Sequence, residues 1–167
     1  MNFETCIEIE SAVAKYFDPR RCVIVPNVWW GLDLNHECDL MVLTKAGFAY
    51  EVEIKTSKAD LKADLKKRHG HKSNRISKLY FAIPTKLEPC IDIIPEQAGV
   101  LMVRPNGAVV KLREAKRNPE SRKLNPDDQL KLTHLGMMRI WKMKSEMVRL
   151  QRIAYSKFTF PQEVPPL

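Results

Sequence analysis

The 167-residue chain has no run of about 18 consecutive apolar residues, and this excludes a membrane-spanning helix on length. It has no CxxC pair either. Cys6, Cys22, Cys38 and Cys90 stand singly, whereas zinc and iron–sulfur sites usually draw ligands from closely spaced pairs. Reduced, mostly buried thiols without a disulfide are therefore expected. Glu4 and Glu8 stand where an export signal needs basic residues and then an unbroken apolar stretch, so a cytoplasmic location is expected. Internal repeats are also missing. What remains, with 44% apolar residues, suffices for one hydrophobic core and a tail.

The net charge is +8, and its distribution is more informative than its size. Nine basic residues face only Asp60 and Asp64 between positions 55 and 78, and thirteen face six acids between 111 and 167. Two such positive zones around an acidic cluster suit a polyanionic partner.

Apolar residues Phe3, Ile7, Ala14 and Phe17, with Val13 beside them, recur at helical spacing until Asp18-Pro19 ends the pattern. Cys22 to Val25 reads as a short strand stopped by Pro26, and Asn27 to Glu37 as a loop holding Trp29, Trp30 and Gly31. Cys38 to Leu43 and Phe48 to Lys55 form two strands joined by the Thr44–Gly47 turn. Ser57 can cap a helix running to about His69, with Leu61 and Leu65 facing inward and Gly70 just past its end. Further strands are expected at Leu79–Ile83, Gly99–Val103 and Ala108–Leu112. This gives a core over residues 1–112. A charged linker or mobile loop follows over 113–126, without apolar periodicity. A long helix over 127–157 carries Leu130, Met137, Met138, Trp141 and Val148 as adaptable core or a docking surface, and a loose tail occupies 158–167.

The hairpin carries the chemistry. Strand alternation places Phe48, Tyr50, Val52 and Ile54 on one face and Ala49, Glu51, Glu53 and Lys55 on the other, one for the core and one for function. A five-residue connection sets Leu43 opposite Ala49, Leu40 opposite Val52, and Asp39 opposite Glu53. Facing carboxylates repel unless a cation sits between them. Mg²⁺, with Mn²⁺ as a substitute, is held by one or two carboxylates plus water and phosphate, which assigns the metal to Asp39 and Glu53. It can activate water and offset charge on a phosphate, and Lys55 stands where an ammonium would share that work.

The order Asp39, then Glu53-Ile54-Lys55, on a hairpin with a helix before it and a basic helix after it resembles the PD-(D/E)xK nuclease superfamily. The segment Glu53 to Asp64, with Leu79–Pro84 and Ile94–Leu101, looks like its MmcB-like DNA-repair branch and related phage and bacterial proteins. The likeness covers about residues 5–112. It implies an α/β restriction-endonuclease-like core with a central mixed β-sheet flanked by helices, here with a long C-terminal helix added. It also implies the main chain of Ile54 as a further metal ligand and a helix-one acid, for which Glu10 is the candidate and Glu8 its neighbour. Cys38 stands where the name-giving proline would be.

DNA contacts are expected from Lys58, Lys62, Lys66, Lys67, Arg68, Lys72 and Arg75, with Trp30 stacking on a base. Glu37 and Glu51 suit either a second metal position or a salt bridge to the lysine-rich helix. His69 and His71 read as surface histidines at a helix end. The expected function is a Mg²⁺-dependent nuclease acting on DNA in repair, recombination or phage genome processing. Two other readings use the same residues: a non-catalytic DNA-binding module, and an adaptor, or a homodimer, working through the C-terminal helix.

Overall fold

The computed structural model describes residues 5–29, 32, 34, 36–64, 71 and 73–158, with the side chains of 157 and 158 excepted. Helix α1, Cys6–Phe17, begins at Thr5, whose backbone N–H (3.1 Å) and hydroxyl (2.6 Å) both donate to Glu8 Oε2. Its inner stripe is Ile9, Ala12 and Val13.

Six strands follow, β1 Val23–Val28, β2 Cys38–Leu43, β3 Ala49–Ile54, β4 Ile76–Pro84, β5 Gly99–Val103 and β6 Val109–Arg113, lying side by side in chain order. The sheet is mixed, with β3–β4 and β4–β5 parallel and the other pairs antiparallel. β1 runs through Pro26 rather than stopping at it, because an edge strand tolerates a missing N–H. The β2–β3 hairpin has the expected register, Leu43 opposite Ala49 and Leu40 opposite Val52. Its turn closes through Thr44 N–H to Phe48 O at 2.9 Å, and Gly47 takes the left-handed φ of 85° that the turn demands.

Helix α2, Lys58–Asp64, crosses from β3 to the parallel β4, and the Ser57 hydroxyl oxygen accepts the Asp60 N–H at 3.1 Å as its cap. A 3-10 helix over Thr85–Ile93 makes the next crossover. Helix α3, Pro126–Phe158, has 33 residues and is about 50 Å long at 1.5 Å per residue. None of the described helices is long and apolar enough to cross a membrane.

Both faces of the sheet are covered, so the face of β3 expected to carry function is buried along with the one expected to form the core. Leu40, Val42, Val52, Ile54, Ala82 and Leu101 pack against α1. On the opposite face one apolar patch joins Val25, Met41, Leu43 and Ala49 to Leu132 and Leu135 of α3. A second joins Phe81, Ile83 and Val100 to Leu61 of α2 and Leu87 of the 3-10 helix. Glu51 and Glu53 of β3 are buried as well.

Two further expectations are revised. The segment after β6 is a strap rather than a mobile linker. Lys116 N–H donates to Gln97 O, Asn118 N–H to Ser77 O, Arg122 N–H to Asn74 O and Leu124 N–H to Gly47 O, all within 2.8–2.9 Å. Its own Ala115 and Leu124 are buried. On α3 the packed stripe is Leu132 and Leu135, while Leu130, Met137, Met138, Trp141 and Val148 all face solvent. Only the docking-surface reading of those five survives, because the sheet is too narrow to cover so long a helix.

Candidate metal and phosphodiester site

The cluster is assembled from six places in the chain. β2 supplies Asp39, β3 supplies Glu51 and Glu53, and Lys55 follows β3 directly. α1 supplies Glu10, α2 ends on Asp64, and the loops before β2 and after α2 supply His36 and His71. Glu51, Glu53, Lys55 and Asp64 are all at least 95% buried. Charged groups are buried to this extent only when they satisfy one another.

The partners run in a continuous chain. His36 Nε2 lies 2.5 Å from Glu51 Oε1, and His71 Nδ1 lies 2.7 Å from the same oxygen. His71 Nε2 lies 2.8 Å from Asp64 Oδ2, and Lys55 Nζ sits 3.0 Å from Asp64 Oδ1 and 2.7 Å from Glu53 Oε2. Asp39 accepts the Ile54 backbone N–H at 2.8 Å. In an extended strand the N–H and C=O of one residue point to the same side, so the Ile54 carbonyl also faces the β2 edge that carries Asp39.

Burial followed by the charge of Asp39 raises the Glu53 carboxyl above its usual range, against the pull of Lys55. Burial and then Asp39 raise Glu10 in the same way. Glu10, on a different element, thus shares the field of Asp39, whereas Glu8 is taken up by the Thr5 cap. Burial opposes the ammonium of Lys55, but Glu53 and Asp64 outweigh it and hold the group charged. Burial likewise disfavours the Glu51 anion, yet the two imidazoles keep it well below the carboxylate norm. His71, which burial alone would push down, is pushed up to about 9 by Asp64 and Glu51.

Asp39, Glu53, Glu10 and the Ile54 carbonyl offer oxygen donors only, the donor type a hard divalent cation takes. Two of these carboxyls are raised by burial and mutual repulsion, which a cation would relieve. The structure thus pairs Lys55 with Glu53 and fastens Asp39 to Ile54, while Asp39 acts on Glu53 and Glu10 through its charge. Of the expected DNA contacts, Lys58 and Lys62 are exposed on α2, but Arg75 is committed to a salt bridge with Asp128 at the start of α3. Lys66, Lys67, Arg68, Lys72 and Trp30 lie outside the described residues. Glu37 is exposed and takes no part in the cluster.

Sequence reasoning missed His36 and Asp64 and misread His71, whose side chain is only 6% exposed. Asp64 left a signal, since it lies three residues beyond Leu61 on the inward stripe of α2, where an acid needs a buried partner. The histidines left none, because both sit in aperiodic loops.

Comparison with known proteins agrees with this architecture. A family model described as MmcB-like, DNA repair protein MmcB-like, matches residues 2–145. Among solved structures, the chain is similar to SPO1766, a protein of unknown function from Silicibacter pomeroyi, at 20% identity and a TM-score of 0.59, covering 93% of this chain and 94% of that one. No curated protein matches.

Proposed function

The chain belongs to the MmcB-like family of DNA repair proteins, and on that premise we propose that it is a Mg²⁺-dependent nuclease of the PD-(D/E)xK kind that hydrolyses phosphodiester bonds in DNA. The observation that carries the reading is the meeting of Asp39, Glu53 and Lys55 at one end of the hairpin, where Glu53 is raised by burial and by Asp39 while Lys55 stays charged.

Asp39, Glu53, Glu10 and the Ile54 carbonyl would hold the cation. When bound, it supplies an activated water and a positive charge against the developing negative charge on the phosphate. Lys55 contributes a second, fixed positive charge, held in place by Glu53 at 2.7 Å and Asp64 at 3.0 Å. In a water-poor site such a preset charge stabilises a transition state without reorganising. Lys58 and Lys62 would engage the phosphate backbone, giving affinity without sequence choice. The solvent-facing Met137, Met138 and Trp141 of α3 support a second contact, to a protein partner or a second copy.

The test is cleavage of plasmid, branched and single-stranded DNA with Mg²⁺ or Mn²⁺ by the full chain. The expected result is cutting that falls about 10²-fold or more in Asp39→Ala and Lys55→Ala. Folding of the variants is to be checked by circular dichroism. Absence of cutting with either metal, or cutting that folded variants retain, rejects the enzyme and leaves a DNA-binding module.

A further inference from the structure

We propose that His36, Glu51, Glu53 and His71 form a second metal position, selective for a d-block divalent ion such as Zn²⁺ over Mg²⁺, and that Asp64 positions His71 within it. The four ligand atoms, one from each of His36, Glu51, Glu53 and His71, all lie within 4.8 Å of one another. Around a tetrahedral ion with donors at about 2.1 Å the donor atoms stand about 3.4 Å apart, so the 2.5 and 2.7 Å contacts of the imidazoles with Glu51 open and the longer separations close when the ion enters. Both imidazoles already address one carboxylate oxygen, Glu51 Oε1, from rings that stand nearly perpendicular at 87° with centroids 4.9 Å apart.

Two observations beyond the clustering point to a ligand. The second carboxylate oxygen of Glu51, Oε2, is buried and has no hydrogen-bond partner among the described residues. Such an atom is costly unless something positive approaches it. His71 uses Nδ1 toward the cluster and Nε2 toward Asp64. A ring nitrogen anchored on a carboxylate while the other faces the ligand set is how metal-binding histidines are oriented. The donor types then set the metal class, since imidazole suits Zn²⁺ and its neighbours, whereas Mg²⁺ requires oxygen throughout. His71 also lines a cavity of about 550 Å³ bordered by residues 116–120.

This position shares Glu53 with the Asp39 site but is independent of nuclease activity, and its test uses no DNA. Co²⁺ is titrated into the full chain and followed by its visible d–d absorption and by equilibrium dialysis. With excess Mg²⁺ present to fill the oxygen site, one equivalent of Co²⁺ should bind and be displaced by Zn²⁺. His36→Gln and His71→Gln should each weaken binding at least about tenfold and Asp64→Asn about tenfold, as supporting partners of metal ligands generally do. Under the same excess of Mg²⁺, Asp39→Asn should leave the Co²⁺ d–d spectrum in place, because the imidazole ligands are retained. X-ray absorption on the wild-type Co²⁺ complex counts imidazole ligands without any variant, and two are expected. No Co²⁺ uptake, no imidazole in the coordination shell, or binding lost in Asp39→Asn and kept in folded histidine variants would each overturn the proposal. The last of these would assign the ion to the oxygen site instead.

Discussion

Ile54 donates its backbone N–H to Oδ2 of Asp39 at 2.8 Å, so the acid from β2 is fastened to the strand that carries Glu53. The ladder pairs Leu43 with Ala49 through Leu40 with Val52, and the carboxylate takes the next N–H along β3 that faces β2. Asp39 Oδ2 therefore closes the end of the hairpin.

That bond separates two substitutions. Asp39→Asn keeps an acceptor for Ile54 and should cost under about 1 kcal/mol of stability, while Asp39→Ala strands a half-buried donor and should cost about 1–3 kcal/mol. Both should lose metal-supported cleavage. Urea unfolding run beside the cleavage assay checks this, and equal destabilisation of the two variants would show that the bond contributes nothing.

Gly99 is required for close approach. A Cβ there would stand 2.3 Å from Tyr80 Cδ1 and 2.8 Å from the Ala115 backbone nitrogen. The Tyr80 ring cannot swing away without giving up its 2.5 Å hydrogen bond to Glu114. Gly99→Ala is thus expected to destabilise by about 1–3 kcal/mol through overpacking. An unchanged urea midpoint would contradict the packing described.

Glu114 governs an acid-sensitive contact. Lys111, Lys78 and Tyr80 hold its carboxyl down to about 2. A folded pKa below the unfolded value means the contribution is complete above about 4.5 and disappears as pH falls toward about 2. The stability gap between wild type and Glu114→Gln should therefore narrow over that window. Because the side chain is 48% exposed, added salt should shrink the gap at every pH. A gap independent of both pH and salt would remove Glu114 from the account.

Lys58 and Lys62 lie exposed on α2, so removing their charges should leave the fold intact. If they contact phosphates, Lys58→Ala with Lys62→Ala should weaken DNA binding uniformly across sequences and lower the salt slope by up to about 2. Fluorescence anisotropy at several salt concentrations measures it, and an unaltered slope would move the DNA to another face.

The hairpin and its register were legible in the amino-acid order alone. Period-two alternation with a five-residue connection leaves one alignment in which Leu40 meets Val52 and Leu43 meets Ala49, and that alignment carries Asp39 toward Glu53 whatever surrounds it. The helix after Ser57 and the strand Gly99–Val103 were legible for the same reason, because caps and apolar runs act over a few residues.

What covers that hairpin was decided only by tertiary structure. Burying Glu51, Glu53 and Lys55 is tolerable because α2, α3 and two aperiodic loops bring apolar walls, Asp64, His36 and His71 from distant parts of the chain. Local periodicity carries no information about such meetings. Charge desolvation depends on every neighbour at once, so a strand face read only as the one for function became a deeply enclosed polar cluster.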